Sequence, residues 1–286
     1  MRRVDHIEAR SVVIVLGCGD VGSAVAHALH CVGFAVVLID GADPPWPRRG
    51  MAFADAWYVG AAELEGIGAC FCASVRSLPV VLDRRDMIAA TTWSWPGVAA
   101  ALLPVALVDA RVAKRSEPPV LRSERAEPML TIGLGPSFHA GVHVDLAIET
   151  AWCDDLGAVI ERGSTRPLEG EPRRLGGAGR ERYIYAPCAG RFHTTLAIGD
   201  RVCAGESIAS VDGRFVEAPL DGVLRGLSAR GARVATGQKI VEVDARGDRA
   251  LCVGIGERPR RIARGVLDAF AMRGLVTPHV QAAADA

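Results

Sequence analysis

The sequence predicts an α/β domain with a buried parallel sheet, followed by a smaller all-β unit. The first observation is the apolar pentapeptide Val12–Leu16, which leads through a glycine-rich turn and a helical pattern into a second apolar run, Ala35–Ile39. Strands that are buried on both faces of a parallel sheet have such continuous apolar runs. The second observation is a pattern of glycine and β-branched residues that occurs twice in the last third of the chain, 32 residues apart.

The turn after the first strand has the pattern of a dinucleotide-binding site. Residues 17–22 read Gly-Cys-Gly-Asp-Val-Gly, and Asp40 ends the second strand. Gly17 permits the tight turn, Gly19 lets the backbone approach a pyrophosphate, and Gly22 lets helix and strand pack closely. Asp40 stands where a carboxylate accepts hydrogen bonds from a ribose. We therefore predict a Rossmann-like domain that binds a nucleotide, with a turn kept only for packing as the alternative.

Charged residues near this turn are further candidates for ligand binding. Asp20 puts a carboxylate at the start of the helix, where it can cap the helix but also repels a phosphate. Arg48 and Arg49 lie on a proline-rich loop, residues 43–50, which follows the second strand. Two adjacent guanidinium groups can hold a phosphate in bidentate fashion. Solvated charges on a loop are the alternative.

Later apolar runs extend the predicted sheet. Residues 79–82 and 105–108 predict two more parallel strands, and Lys114 follows the second of these. A strand at residues 129–133 leads into a second glycine-rich loop, residues 133–141, which predicts another phosphate cradle because glycines leave backbone N–H groups exposed. Carboxyl ends of parallel strands meet at one edge, so we expect both glycine loops and the basic side chains to line one cleft.

No metal site is predicted. His139 and His143 are four residues apart, which on a helix would give a metal-binding pair. The alternation of apolar residues around them predicts a strand instead, where such residues lie too far apart to bind one ion easily. Cys70 and Cys72 form a C-x-C pair without a second pair nearby, and we interpret them as buried thiols.

Composition limits the class of protein and its partners. The 33 Lys and Arg residues balance the 33 Asp and Glu residues, which argues against nucleic-acid binding through a basic face. Glycines interrupt the first apolar run, and residues 98–108 are too few to span a membrane. We expect a soluble, cytoplasmic protein with reduced cysteines and no membrane partner.

The repeat in the last third starts with Ala186-Pro187-x-x-Gly190, which recurs as Ala218-Pro219-x-x-Gly222. Each copy is too small to bury a core alone, so the two copies should intertwine into one small barrel. The pattern resembles the biotinyl/lipoyl domains, which are barrel-sandwich hybrids and whose carrier members have a lysine on the hairpin between the repeats. Here the hairpin, residues 212–217, has Arg214 and no lysine. Because a guanidinium is not acylated, carrier function is not predicted.

Taken together, the two halves resemble the YqeB-like family of accessory proteins for selenium-dependent molybdenum hydroxylases. The motifs that carry the resemblance are residues 17–26, 48–49, 52–54, 58–60, 108–110, 113–115, 132–136, 138–141, 149–150, 155–157, the repeat, 244–247 and 265–267. The resemblance implies an accessory protein that binds the molybdenum cofactor in its dinucleotide form, or another nucleotide. Such a protein would help to modify the cofactor or insert it into a molybdenum hydroxylase client.

Two departures from the family pattern bear on the ligand. Ser137 replaces a glycine, and Ala151-Trp-Cys-Asp154 replaces Asn-Arg-Gly-His; if that segment holds ligand, the ligand or the client differs. No catalytic residue is predicted. The predicted cofactor-binding residues are Gly17, Gly19, Asp20, Gly22, Asp40, Arg48, Arg49, Lys114, Gly133, Gly135, Ser137, Glu149 and Thr150.

The predicted domain organisation has four parts. A Rossmann-like nucleotide-binding domain with its linker takes residues 1–180, and a barrel-sandwich hybrid takes residues 181–247. A C-terminal helix in residues 248–276 packs back on the first domain, and residues 277–286 form a disordered tail. The alternative functions are an NAD(P)-dependent oxidoreductase, for which no catalytic group stands out, and a non-acylated interaction module. Enzymatic activity and homo-oligomer formation are left open.

Overall fold

A computed structural model describes residues 11–84, 86–113, 116–122, 129–168 and 172–276. The helices are α1 (Asp20–Cys31), α2 (Ala56–Val59), α3 (Leu78–Leu82), α4 (Trp95–Leu102) and α5 (Glu257–Met272). The strands of the first part of the chain are β1 (Val12–Leu16), β2 (Ala35–Ile39), β3 (Ala61–Leu64), β4 (Ile67–Phe71), β5 (Met87–Thr91), β6 (Ala106–Asp109), β7 (Leu130–Leu134), β8 (His139–Ala140), β9 (Leu146–Ile148), β10 (Val159–Ile160) and β11 (Gly163–Ser164). The strands of the repeat region are β12 (Tyr183–Tyr185), β13 (Gly190–His193), β14 (Arg201–Val202), β15 (Ser207–Val211), β16 (Arg214–Glu217), β17 (Gly222–Leu227), β18 (Arg233–Val234) and β19 (Lys239–Asp244).

The large sheet has nine strands in the order β10-β9-β7-β6-β1-β2-β5-β4-β3. Its central strands are parallel, whereas β3 pairs with β4 and β10 pairs with β9 in antiparallel fashion. The chain leaves β1 toward β2 and later returns to the other side of β1 at β6. Open α/β sheets bind ligands outside the carboxyl ends of the strands at such a switch point.

The repeat region forms two separate four-stranded antiparallel sheets. One has the order β12-β19-β17-β14 and the other β16-β15-β13-β18, so each sheet takes strands from both copies of the repeat. The apolar core between them includes Phe192, Leu224 and Ile240, all fully buried. Neither copy has enough apolar residues for a core of its own, and the exchange of strands supplies one.

The predicted fold class, a Rossmann-like parallel sheet followed by a biotinyl-like barrel-sandwich hybrid, is therefore corrected. The large sheet is mixed, and the repeat region consists of two small antiparallel sheets. The antiparallel edge strands are short and partly exposed, so their sequences lack the continuous apolar run that marks the central strands.

The predicted strand at residues 79–82 is also wrong, because these residues lie in α3. Pro79 occupies the first turn, where its missing N–H is not needed. Leu78 and Leu82 are both buried, while Val80 is 69% exposed. Burial four residues apart is the period of a helix, and a run this short does not distinguish it from a strand.

The last helix, α5, packs beside α1 on one face of the large sheet. Gly265 lets α5 lie close to the loop between β9 and β10, since a Cβ there would lie 2.0 Å from the Gly157 carbonyl oxygen. At the far end, the rings of Phe34 and Phe270 meet edge to face with 5.2 Å between their centroids. Arg258 in the first turn of α5 contacts the Thr150 carbonyl, which follows β9. The two helices thus run in the same direction, and both N-termini lie at the carboxyl edge of the sheet.

Candidate functional site

The glycine turn between β1 and α1 is fixed by backbone packing. Gly17 has a φ of +97°, and its N–H donates to the Ile39 carbonyl at 2.8 Å. A Cβ on Gly22 would lie 1.8 Å from the Gly17 carbonyl oxygen. No side chain larger than hydrogen fits at Gly22, so this glycine is required for the turn with or without a ligand.

Gly19, which was expected to let a pyrophosphate approach, is covered by the indole of Trp46. A Cβ on Gly19 would lie 2.9 Å from the Trp46 ring. The proline-rich loop after β2 therefore folds back over the turn and places an aromatic ring where the pyrophosphate was expected. The missing side chain of Gly19 accommodates the indole.

Asp40, the expected ribose acceptor, binds the protein itself. Its Oδ2 accepts hydrogen bonds from the Cys18 N–H at 2.8 Å and from Trp46 Nε1 at 2.7 Å. Its Oδ1 accepts from the Gly41 N–H at 2.7 Å. Burial, together with the negative charge of Asp40, raises the pKa of the Cys18 thiol well above its ordinary value. Cys18 is thus a protonated thiol at neutral pH.

Arg48 joins α1 to the repeat region. Its Nη1 donates to Asp20 at 2.8 Å, and its Nε and Nη2 form a bidentate pair with Glu242 at 2.8 and 2.9 Å. Asp20 accepts a bond from the Val21 N–H, but the N-cap residue, Gly19, makes no side-chain cap. The expectation that Arg48 holds a phosphate is corrected, because its guanidinium already pairs with two carboxylates.

Glu242 is the centre of a partly buried charge cluster, which we call the junction cluster: Asp20, Arg48, Arg182, Lys239 and Glu242. The Glu242 side chain is fully buried, and Arg182 and Lys239 also pair with it. Burial of Asp20 disfavours its charge, but Arg48 holds the pKa of this carboxyl below its usual range.

Arg49 does not join the same site. Its Nε donates to the Leu227 carbonyl at 2.8 Å, and its Nη1 pairs with Asp55. Arg49 therefore anchors the loop to strand β17, and its expected role as a phosphate ligand is corrected as well. Lys114 lies outside the described residues.

The second glycine loop is folded against the segment that follows β6. A Cβ on Gly133 would lie 2.3 Å from the Phe138 ring, and one on Gly135, whose φ is +116°, would lie 3.1 Å from Val112. Val112 and Ser137 have φ values of +48° and +65°, which side chains rarely adopt. Strained backbone of this kind is concentrated at functional sites, so these residues mark the carboxyl edge as a candidate site.

Residues 111 and 112 lie between the two glycine loops. A Cβ on Gly17 would lie 3.0 Å from the Arg111 Cα, just as Gly135 faces Val112. Arg111 forms a bidentate pair with Asp109, at the end of β6. The structure thus brings both glycine loops to the switch point between β1 and β6.

Glu149 and Thr150, at the end of β9, are buried. The Glu149 carboxylate accepts three backbone hydrogen bonds, from the N–H groups of Thr150 and Ala151 at 2.7 Å and of Arg166 at 2.8 Å. Glu149 therefore shapes the loop after β9. This loop presents the Thr150 carbonyl oxygen to Arg258, which sequence analysis did not select.

Arg258 is the half-buried cation at this edge. Its Nε donates to the Thr150 carbonyl at 2.8 Å, and no described residue pairs with its two terminal nitrogens. Burial lowers the pKa of the guanidinium, and the nearby charge of Asp20 partly offsets this effect. Gly19 and Gly256, the N-cap residues of α1 and α5, make no side-chain caps. An anion here would meet Arg258 and the positive end of the α5 dipole, whereas the Asp20 carboxylate already occupies the start of α1.

The described residues contain no group of three or more His, Cys, Asp or Glu side chains that could hold a metal ion. The His139 N–H donates to His143 Nδ1 at 3.0 Å, which places the two histidines in a local turn. Cys72 is buried and Cys70 is half-buried. Within the part of the chain that the structure describes, no helix is both long and apolar enough to span a membrane.

A dinucleotide does not fit the glycine turn as it is folded here. Trp46 covers Gly19, the oxygens of Asp40 accept internal hydrogen bonds, and Arg48 pairs with carboxylates. The resemblance implied the dinucleotide form of the molybdenum cofactor, and these residues do not accommodate its pyrophosphate at the turn.

The fold and the site define an α/β protein with a half-buried arginine, Arg258, at the carboxyl edge of a mixed sheet. In sequence, the chain is 33% identical over 272 residues to the uncharacterized protein YqeB of Escherichia coli strain K12. The alignment covers 95% of this chain and 49% of YqeB, so the chain spans about half the length of that relative. The predicted resemblance to YqeB is confirmed at the level of sequence identity. No protein-family model matches the chain.

Solved structures align with the chain only loosely. The ectoine utilization protein EutE (DoeB) of Ruegeria pomeroyi aligns at 11% identity with a TM-score of 0.28, over 82% of this chain and 85% of that protein. A succinylglutamate desuccinylase of Silicibacter sp. TM1040 aligns at 9% identity with a TM-score of 0.24, over the same shares of the two chains. TM-scores of this size carry no argument about activity. The description as a Rossmann and barrel-sandwich, nucleotide-binding maturation factor of the molybdenum cofactor is nevertheless corrected, since the sheets and the closed turn differ from it.

Acidification is expected to destabilise the protein through the junction cluster. Burial alone would raise the pKa of Glu242, but the charges of Arg48, Lys239 and Arg225 together hold this pKa well below its ordinary value. A carboxyl whose pKa is lowered by folding stabilises the protein above its unfolded pKa, and this contribution is lost as the pH falls. We expect the free energy of unfolding, measured by urea titration, to decrease from about pH 5 to about pH 3, and less steeply in Glu242→Gln. A constant or rising value over this range would contradict the assignment.

Proposed function

We propose that this chain is an accessory protein that binds a phosphate-bearing small molecule at the carboxyl edge of its large sheet and acts on a molybdenum hydroxylase client. The client is proposed from the resemblance to YqeB-like accessory proteins, and the ligand class is proposed from the site. The observation that carries the ligand class is Arg258, whose terminal nitrogens have no partner among the described residues.

The charge balance around Arg258 supports an anionic ligand. The junction cluster has three cations and two carboxylates, and Arg258 and Glu149 add one charge of each sign. One positive charge is therefore left in excess in a partly buried place. Among the described residues, neither Asp20 nor Glu149 forms an ion pair with Arg258 directly, and a phosphate within hydrogen-bond reach of the guanidinium would offset the remaining cost of its burial.

The surroundings of Arg258 also favour a phosphate over a larger or apolar ligand. The N-terminus of α5 lies at the same edge and has no side-chain cap at Gly256, and backbone N–H groups at such termini bind anions. Arginine binds phosphate through two parallel hydrogen bonds, which Nη1 and Nη2 of Arg258, without partners among the described residues, can donate.

Replacing Arg258 with alanine is expected to weaken pyrophosphate binding by about 10- to 100-fold, since a hydrogen bond to a charged group contributes about 1.5–3 kcal/mol. Isothermal titration calorimetry of the full chain with inorganic pyrophosphate measures this effect. Arg273→Ala is the matched control, because Arg273 is exposed at the other end of α5. Equal affinities for the wild type and both variants would contradict the ligand site.

A further inference from the structure

The Trp46 side chain lies at the glycine turn in the place where a bound nucleotide was expected. Its ring lies against the backbone of Gly19, with 2.9 Å between Cδ2 and the place of a Cβ on that glycine. Its Nε1–H donates to Asp40, as a ribose hydroxyl does in dinucleotide-binding turns. The chain therefore uses the two features that define the turn, the open glycine and the acid, to bind its own side chain.

The loop that carries Trp46 is held on both sides of the indole. Before Trp46, the Tyr58 hydroxyl donates to the Pro44 carbonyl at 3.0 Å. After Trp46, Arg48 pairs with Asp20 and Glu242, and Arg49 donates to Leu227. Displacing the indole would leave the Asp40 carboxylate without this donor and disturb a loop fixed to the repeat region.

We infer that Trp46 determines specificity: it closes the turn to dinucleotides, so that the site at this edge accepts compact phosphate or pyrophosphate groups only. The choice of compact anions rests on the proposed function, whereas the exclusion of dinucleotides rests on the turn alone. Arg258 belongs to α5 and contacts the loop after β9, whereas the Trp46 indole lies over Gly19.

The test compares two probes, NAD⁺ and inorganic pyrophosphate, by calorimetry on the full chain. For the wild type we expect binding of pyrophosphate but at least about 10-fold weaker binding of NAD⁺, because the indole fills the turn. Trp46→Ala is expected to gain at least about 10-fold in affinity for NAD⁺ and to bind pyrophosphate unchanged. Trp46→Phe keeps a ring over Gly19 and is expected to exclude NAD⁺ like the wild type.

Two results would overturn the inference. One is binding of NAD⁺ to the wild type as tight as that of pyrophosphate, which needs no variant and stands even if Trp46→Ala does not fold. The other is a folded Trp46→Ala protein, by its circular dichroism spectrum, that gains no affinity for NAD⁺. Absence of pyrophosphate binding in the wild type would overturn the compact-anion part together with the proposed function. Exclusion of NAD⁺ would then still be decided by the Trp46 variants.

Discussion

Replacing Arg48 with alanine is expected to lower the free energy of unfolding by about 3–5 kcal/mol, because it removes the main partner of a fully buried carboxylate. Glu242 would keep only the longer contacts to Arg182 and Lys239, both at 3.4 Å, in place of the bidentate pair. Asp20 would lose its Arg48 partner as well. Urea denaturation of the wild type and the variant measures the difference.

The control for this variant is Arg230→Ala, which removes an exposed arginine of the repeat region that has no ion pair among the described residues. Surface changes of this type alter stability by less than about 0.5 kcal/mol. If Arg48→Ala and Arg230→Ala were equally stable, the junction cluster would not couple the large sheet to the repeat region.

Replacing Phe270 with alanine is expected to cost about 3–5 kcal/mol of stability, the usual effect of truncating a buried aromatic residue. Phe270 is fully buried between α1 and the large sheet, and its ring meets Phe34 edge to face. The measurement is thermal unfolding followed by the circular dichroism of the helices. A loss of stability of this size is expected to lower Tm by roughly several degrees.

Met272, two residues further along α5, provides the matched control because its side chain is 50% exposed. Met272→Ala is expected to shift Tm far less than Phe270→Ala does. Similar shifts for the two variants would mean that α5 is not part of the core of the large sheet.

The central elements of the fold could be predicted because burial on both faces gives a strong sequence signal. The predicted strands Val12–Leu16 and Ala35–Ile39 are confirmed with the same bounds, and the helix predicted within residues 248–276 corresponds to α5 (Glu257–Met272). The edge strands β3 and β10 could not be predicted, since half-exposed strands of a few residues have no distinctive periodicity.

The site could be predicted only in part, because the glycine pattern encodes a backbone shape and not its occupant. A glycine that lets a pyrophosphate approach also lets an indole approach, and Trp46 is the group that does so here. Arg48 looked like a phosphate ligand because its partner Glu242 is 194 residues away, and no local pattern reveals such a pair. Arg258 was missed because an arginine in the first turn of an amphipathic helix resembles any solvated charge.

These contacts give the glycine turn a structural role, whereas its sequence favours nucleotide binding. The turn fixes the start of α1, while the proposed ligand site is at Arg258, which α5 brings to the same edge. The Trp46 contacts with Gly19 and Asp40 explain how the chain keeps the glycine pattern of a nucleotide-binding turn while its own loop closes that turn.

In the proposed function, Arg258 binds the phosphate group of the ligand through which the chain acts on a molybdenum hydroxylase client. The most direct test of this proposal is the activity of that hydroxylase in cell extracts of the source organism after deletion of this gene. We expect the activity to be lost, and to be restored by the wild-type gene and by Arg273→Ala but not by Arg258→Ala. Hydroxylase activity that is unchanged by the deletion, or fully restored by Arg258→Ala, would contradict the claim.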